Sequence, residues 1–157
     1  MSKSKIHKHS VFSIIMLVIT GLYIIFIWWH STLTAEESTV ESTNVLLFVV
    51  NLLKGLGFTL ELTDHIIRKS AHFCEFALLG LLTLWSAYLN NKKIIRNLMP
   101  IGFVCLATAV IDELVQIGSK GRSAEVTDVA LDFCGAVTGV IIFLIIFAIV
   151  RLFKKAK

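Results

Sequence analysis

The sequence predicts an all-α, polytopic membrane protein: a small bundle of four transmembrane helices with one additional interfacial or extracytoplasmic helix. Hydrophobic residues make up 56% of its 157 residues, and it has a single Pro. Four apolar runs are each long enough to cross a hydrocarbon core of roughly 30 Å at about 1.5 Å per residue. Lys and Arg flank these runs and form no basic surface, so a lipid bilayer is expected as a partner and nucleic acid is not.

The first span is predicted at residues 11–29, which carry no charge and follow a basic segment, residues 1–10. A signal peptide has a similar start, but this run is long and no small-x-small cleavage site follows it, so we interpret it as a retained span. The other spans are predicted at about 66–89, 98–117 and 128–150. A short basic turn separates the first two of these, and a glycine-bearing loop separates the last two.

Residues 45–62 form the ambiguous segment. They are largely apolar, but Asn51, Lys54 and Glu61 gather on one side of a helix. That pattern favours a helix lying at the interface or covering the outer end of the bundle. A re-entrant or spanning path stays open as an alternative.

Charge counting predicts the topology. With four spans and the N-terminus inside, the inner segments hold ten of the fifteen Lys and Arg residues, and all eleven Asp and Glu lie in outer loops or outer halves of spans. A fifth span would leave only seven basic residues inside. The positive-inside rule therefore predicts a multi-pass protein of the bacterial cell membrane, with a single transmembrane domain at residues 11–150 and both termini, residues 1–10 and 151–157, cytoplasmic.

Three spans bring polar residues to one level near the outer surface. Counted up from the inner boundary of each span, Glu75 and Asp112 lie at roughly 22 Å, and His72, Gln116 and Asp132 at roughly 27 to 29 Å. Ionisable groups at that depth are costly in contact with lipid, so they are expected to face inward and form an outward-facing charged pocket. The predicted pocket residues are Arg68, Lys69, His72, Glu75, Asp112, Glu113, Gln116, Arg122, Ser123, Asp128 and Asp132.

These residues belong to segments in a specific order: RKSAHFCEFALLG at 68–80, DELVQ at 112–116, GRS at 121–123, Asp128, and GAVTG at 135–139. In order and spacing, residues 64–139 resemble the VanZ-like membrane proteins. Asp132 departs from the pattern, since that family usually has Asn there. The founding member is associated with low-level resistance to the glycopeptide teicoplanin, so the resemblance implies an antibiotic- or envelope-related role and brings no catalytic mechanism with it.

Several functions fit these residues. In one interpretation, the charged groups form a salt-bridge network whose role is only to fix helix register. In another, the pocket binds a ligand through Arg68, Arg122 and Lys69. That ligand would be an anionic lipid headgroup, an envelope precursor or a glycopeptide. An intramembrane enzyme with His72, Glu75 and Asp112 as catalytic candidates is the alternative, although no GxSxG or HExxH motif is present. A small ion-coupled carrier is a third function, but it needs a polar path to the inside, and the inner halves of all four spans are apolar.

Cofactor and packing predictions are simpler. No cofactor is required, although Glu75, Asp112, Asp128 and Asp132 with His72 are compatible with a divalent cation, and oxygen ligands favour Mg²⁺, Ca²⁺ or Mn²⁺ over Zn²⁺. We expect the three cysteines, each in an apolar run, to be small core residues with no disulfide or zinc site. Close helix packing is the predicted role of Gly80, Gly135 and Gly139.

Overall fold

The protein is an all-α bundle in its computed structural model, which describes residues 3–56, 63–122 and 125–155. Four of its helices are long and apolar enough to cross a membrane, and a fifth is not among them. This confirms the predicted fold class. The helices are α1 (Lys3–His30), α2 (Ala35–Gly55), α3 (Asp64–Asn90), α4 (Ile94–Ile117) and α5 (Val126–Lys155).

Helix α2 begins at Ala35, ten residues before the start predicted from its apolar stretch. The cause is a capping box at its N-terminus. The Thr34 backbone N–H donates to Glu37 Oε2 (2.9 Å), and the Glu37 N–H donates to Thr34 Oγ1 (3.3 Å). Glu36 and Glu37 also place negative charge in the first turn, where the helix dipole favours it. The predicted continuation over residues 57–62 lies outside the described residues.

The centre of the bundle is α3, which packs against all four other helices. Its most extensive contact is with α5, and glycines allow the two backbones to approach closely. A Cβ built on Gly139 would lie 1.7 Å from the carbonyl oxygen of Ala77 on α3. Cβ atoms on Gly80 and Gly135 would come within 2.0 and 2.4 Å of carbonyl oxygens on the opposing helix. Any larger residue at these three positions would push α3 and α5 apart.

A small apolar core lies between the helices, and the outer surface of the bundle is also apolar. Leu22, Phe103 and Ile145 are 61, 73 and 53% exposed, as expected where lipid replaces water as the solvent. The Trp28 indole N–H donates to the Thr108 carbonyl oxygen (3.3 Å) and joins α1 to α4. The buried core residues are Ile27, Phe76, Leu79, Leu84, Ile101, Cys105, Ala109 and Ala136.

The three cysteines do not share one environment. Cys105 is buried, with its sulfur 3.7 Å from the Thr83 hydroxyl, whereas Cys74 and Cys134 are exposed on the outer surface of their helices. The prediction that all three are core residues is therefore wrong for two of them. An apolar run in a membrane helix has a lipid-facing side as well as a core-facing side, and periodicity alone does not separate the two.

Candidate functional site

Polar side chains concentrate at one end of the bundle, where α1 and α4 finish and α3 and α5 begin. We call this the charged end. The loop between α4 and α5 closes it against the start of α2, since the Ala35 backbone N–H donates to the carbonyl oxygen of Lys120 (3.1 Å). Gly121, which adopts a left-handed φ of 77°, turns the chain at this point. The ends of α2, α3, α4 and α5, together with this loop, thus surround a common space.

That space is a polar cavity of about 110 Å³. The structure brings seven of the predicted site residues to its lining. The same cavity is also lined by residues that the sequence did not single out, including His65 on α3 and Glu125 at the start of α5. The seven predicted residues are Arg68, Lys69, His72, Gln116, Arg122, Asp128 and Asp132.

The three cations of the cavity have different partners. Lys69 Nζ lies 2.6 Å from Asp128 Oδ1 and 3.8 Å from Glu125, so its charge is already compensated. Within the described part of the chain, the Arg68 side chain has one polar contact, with the His65 ring at 3.5 Å. Arg122 is half-buried, and its Nε is buried without a hydrogen-bond partner among the residues that the structure describes. Among the described residues, neither guanidinium has a carboxylate oxygen within 4.0 Å, so two positive charges face the cavity unpaired.

The position of Arg122 also changes its acidity. Burial is the larger cause and the positive charge of Arg68 the second, and both lower the pKa of the Arg122 guanidinium from its ordinary value. An arginine remains charged under such a shift. Both guanidinium groups line the same cavity, so an anion bound there would offset their like charge.

Deeper in the charged end, two buried carboxylates approach one histidine. Asp112 and Asp132 are 0 and 2% exposed. His72 Nδ1 lies 3.9 Å from Asp112 Oδ2 and 4.0 Å from Asp132 Oδ1. Asp112 is fixed by two donors, the Ser31 hydroxyl at 2.5 Å and the Gln116 amide nitrogen at 3.0 Å. Asp132 Oδ1 and His72 Nδ1 have no hydrogen-bond partner within the described part of the chain.

Glu75 is paired with a histidine on another helix. Its Oε1 lies 3.1 Å from Nδ1 of His30, the last residue of α1, and the His30 Nε2 lies 3.1 Å from Glu41 on α2. The structure thus places Glu75 in a link between α1, α2 and α3, outside the cavity lining. As a result, His72 faces Asp112 and Asp132 and has no ion-pair contact with Glu75 among the described residues.

Two further predicted site residues remain. Glu113 is buried, and its Oε1 accepts a hydrogen bond from the Glu125 backbone N–H (2.5 Å), which fixes the start of α5. Ser123 lies outside the described residues. Sequence reasoning missed His30 and Ser31, because no local motif indicates that the end of α1 meets acids on α3 and α4.

Comparison with known proteins identifies the family. A family model described as VanZ/LLP1 matches residues 12–148, most of the chain. The chain belongs to the VanZ/LLP1 family. This confirms the resemblance drawn from the segments between residues 64 and 139, and with four span-length helices it makes the chain a multi-pass VanZ/LLP1 membrane protein. Searches of curated proteins and of solved structures gave no match.

Proposed function

We propose that this VanZ/LLP1 protein binds the anionic headgroup of a lipid, envelope precursor or lipoglycopeptide in the cavity at its charged end, and thereby contributes to low-level resistance to teicoplanin. The observation that carries the proposal is the pair of guanidinium groups, Arg68 and Arg122, which line one cavity without a carboxylate partner among the described residues. Guanidinium groups bind phosphate and carboxylate through paired hydrogen bonds.

The cavity volume supports a headgroup as the bound part. About 110 Å³ holds a few water molecules or one phosphate- or carboxylate-bearing group. A whole glycopeptide is far larger, so only an acidic substituent or the head of a lipid would enter. The acyl chains or the remaining antibiotic would lie along the apolar outer surface of the bundle.

The charge distribution supports an outward-facing cavity with both termini in the cytoplasm. The end opposite to the charged end is basic. There Lys92 Nζ lies 4.4 Å from the centre of the Tyr88 ring, and the Arg151 guanidinium lies 4.5 Å from that of Phe147. Basic residues at helix ends favour the cytoplasmic side, and aromatic residues favour the membrane interface. On this topology the cavity meets ligands in the outer leaflet and the cell envelope.

The test is teicoplanin susceptibility of a sensitive Gram-positive host that expresses the chain. Wild type should raise the inhibitory concentration, and Arg122→Gln should remove that gain. Arg122→Lys, which keeps the charge but loses the paired hydrogen bonds, should retain only part of it. Lys120→Gln is the matched control, because Lys120 is exposed on the same loop and does not line the cavity.

Two results would count against this function: a wild-type protein without effect, or equal protection by well-expressed Arg122→Gln and wild type. Membrane abundance, measured by immunoblot, separates lost binding from lost protein. Protection that fails equally in the Lys120→Gln control would also contradict a specific role for Arg122.

A second candidate is an intramembrane enzyme that acts on a lipid-linked substrate. It is favoured by the proximity of His72 to two buried carboxylates, which suits a general base held by acidic partners. Purified protein incubated with envelope lipids should then yield a new species by mass spectrometry, and His72→Gln should abolish it. Unchanged lipid spectra with wild type would exclude this candidate.

A further inference from the structure

We propose that His72, Asp112 and Asp132 form a binding site for one divalent transition-metal ion at the floor of the cavity. One donor atom from each of the three residues lies within 4.8 Å of the other two. They come from α3, α4 and α5, so the site exists only when the bundle is assembled. The inference stands on these residues and does not depend on the anion-binding function of Arg68 and Arg122.

The separations suit an ion of ordinary size. Two of the three donor separations are about 4 Å and all lie within 4.8 Å, so a central ion would lie at about 2.3–2.5 Å from each donor, close to the roughly 2.0–2.6 Å of metal–nitrogen and metal–oxygen bonds in proteins. The measured distances from His72 Nδ1 are 3.9 Å to Asp112 and 4.0 Å to Asp132. These are too long for hydrogen bonds, yet nothing else among the described residues satisfies Asp132 Oδ1 or His72 Nδ1.

Charge and burial point in the same direction. Asp132 is only 2% exposed, and its Oδ1, which has no hydrogen-bond partner among the described residues, lies on the side of His72 and Asp112. Two carboxylates in a low-dielectric interior are costly unless positive charge compensates them. A divalent cation would balance both at once. Arg122, whose side chain lines the same cavity, does not contact either carboxylate within 4.0 Å.

The surroundings of Asp112 resemble those of a pre-oriented ligand. The Ser31 hydroxyl donates to its Oδ1 and the Gln116 amide donates to its Oδ2, so both oxygens are held before any ion arrives. Such second-layer hydrogen bonds fix ligand geometry in known metal sites. The remaining coordination positions would face the cavity, where water or an anionic group of a ligand would complete the shell.

The donor set selects the class of ion. One imidazole nitrogen with two carboxylates suits Mn²⁺ or Zn²⁺ better than Mg²⁺ or Ca²⁺, which prefer all-oxygen shells. This differs from the expectation drawn from the sequence, which included four acids and favoured Mg²⁺, Ca²⁺ or Mn²⁺. The structure keeps Asp128 with Lys69 and Glu75 with His30, so only two acids remain beside the histidine.

The experiment is metal binding by the full chain in lipid nanodiscs, first treated with a chelator and then titrated with ZnCl₂ or MnCl₂. Wild type should bind one equivalent, and its melting temperature should rise with metal and fall again with chelator. Asn has nearly the same shape as Asp but no negative charge. Loss of a residue that only hydrogen-bonds a metal ligand weakens metal affinity by about 10- to 100-fold, so Asp132→Asn, which changes a ligand itself, should weaken it at least as much. Asp64→Asn, at the start of α3 and outside the cavity lining, is the control.

A second measurement separates lost binding from misfolding. Wild type loaded with Co²⁺ should show visible absorption bands of an imidazole- and carboxylate-bound ion, and these should disappear in folded His72→Gln. The proposal is overturned if wild type binds no stoichiometric metal, or if Asp132→Asn binds metal as tightly as wild type and the Asp64→Asn control do. Neither result would bear on teicoplanin susceptibility of Arg122 variants.

Discussion

Substitution of Gly139 by Ala should destabilise the bundle, because the glycine Hα that the new Cβ would replace faces the backbone of the opposing helix. The new Cβ would lie 1.7 Å from the Ala77 carbonyl oxygen, and real Cβ contacts essentially never fall below 3.0 Å. Helices α3 and α5 must therefore separate locally by about 1.3 Å, the difference between these two distances. The obstacle is backbone, so no side-chain rotation can relieve it.

The size of the effect follows from two opposing contributions. Overpacking of this kind costs about 3 kcal/mol, the upper part of the usual range, because a whole helix pair must shift. The gain in helix propensity from Gly to Ala returns at most about 1 kcal/mol. The expected net loss in the free energy of unfolding is therefore about 2 kcal/mol, the difference between these two contributions.

The assay is reversible unfolding in mixed micelles, followed by circular dichroism as denaturing detergent is added. Gly102→Ala on α4 is the matched control, since a Cβ there would meet nothing within 4 Å, and its stability should stay equal to or slightly above wild type. If Gly139→Ala proves as stable as Gly102→Ala, the close α3–α5 contact does not exist in the membrane protein.

Three further predictions concern single contacts. Ser31→Ala leaves a buried oxygen of Asp112 without its donor and should cost about 1–3 kcal/mol in unfolding free energy. Lys69→Met leaves Asp128 uncompensated and, because both side chains are about 30% exposed, should cost only about 1 kcal/mol or less, with Lys69→Arg restoring it. Hydrogen bonds from the N-cap residue of α2 lower the pKa of Glu37, so its stabilisation is present above the unfolded-state pKa and is lost as pH falls through the lowered value. Thermal melts of wild type and Glu37→Gln should therefore differ at neutral pH and converge in acid.

Two of these predictions have a matched control, and Lys69→Arg is the check on the third. Ser119→Ala serves for Ser31, because it removes a hydroxyl whose hydrogen bonds go to two backbone carbonyl oxygens, at 3.1 and 3.2 Å. Glu36→Gln serves for Glu37, since it removes an exposed charge from the same helical turn. A loss from Ser119→Ala as large as that from Ser31→Ala, or a melting difference for Glu37→Gln that is independent of pH, would show that the named contacts are not responsible.

The sequence predicts four long apolar helices because hydropathy and length are local properties. Residues 11–29 and 128–150 are nearly continuous apolar runs, and helices α1 and α5 include them. The start of α2 was also present in the sequence. Thr34 and Glu37 have the spacing of a capping box, but the polar, acidic composition of that stretch suggested a loop.

The charged end was only partly predictable. Counting residues from the inner boundary predicts that three helices deliver polar groups to one level, but it does not determine which groups meet. Glu75 and His72 are three residues apart on α3 and therefore lie on nearly the same side of the helix. A small rotation of α3 about its axis would change which neighbouring helix each side chain meets. Glu75 meets His30, whereas His72 meets Asp112 and Asp132. Those choices depend on how α1, α4 and α5 pack around α3.

Arg68 and Arg122 are proposed to bind an anionic headgroup in the cavity that both line. A crystal structure of the full chain, grown in a lipidic mesophase that contains phosphatidylglycerol, tests this binding. We expect density for a phosphate group within hydrogen-bond distance of both guanidinium groups. Ordered water alone between them, or a carboxylate of the chain itself paired with both arginines, would contradict it.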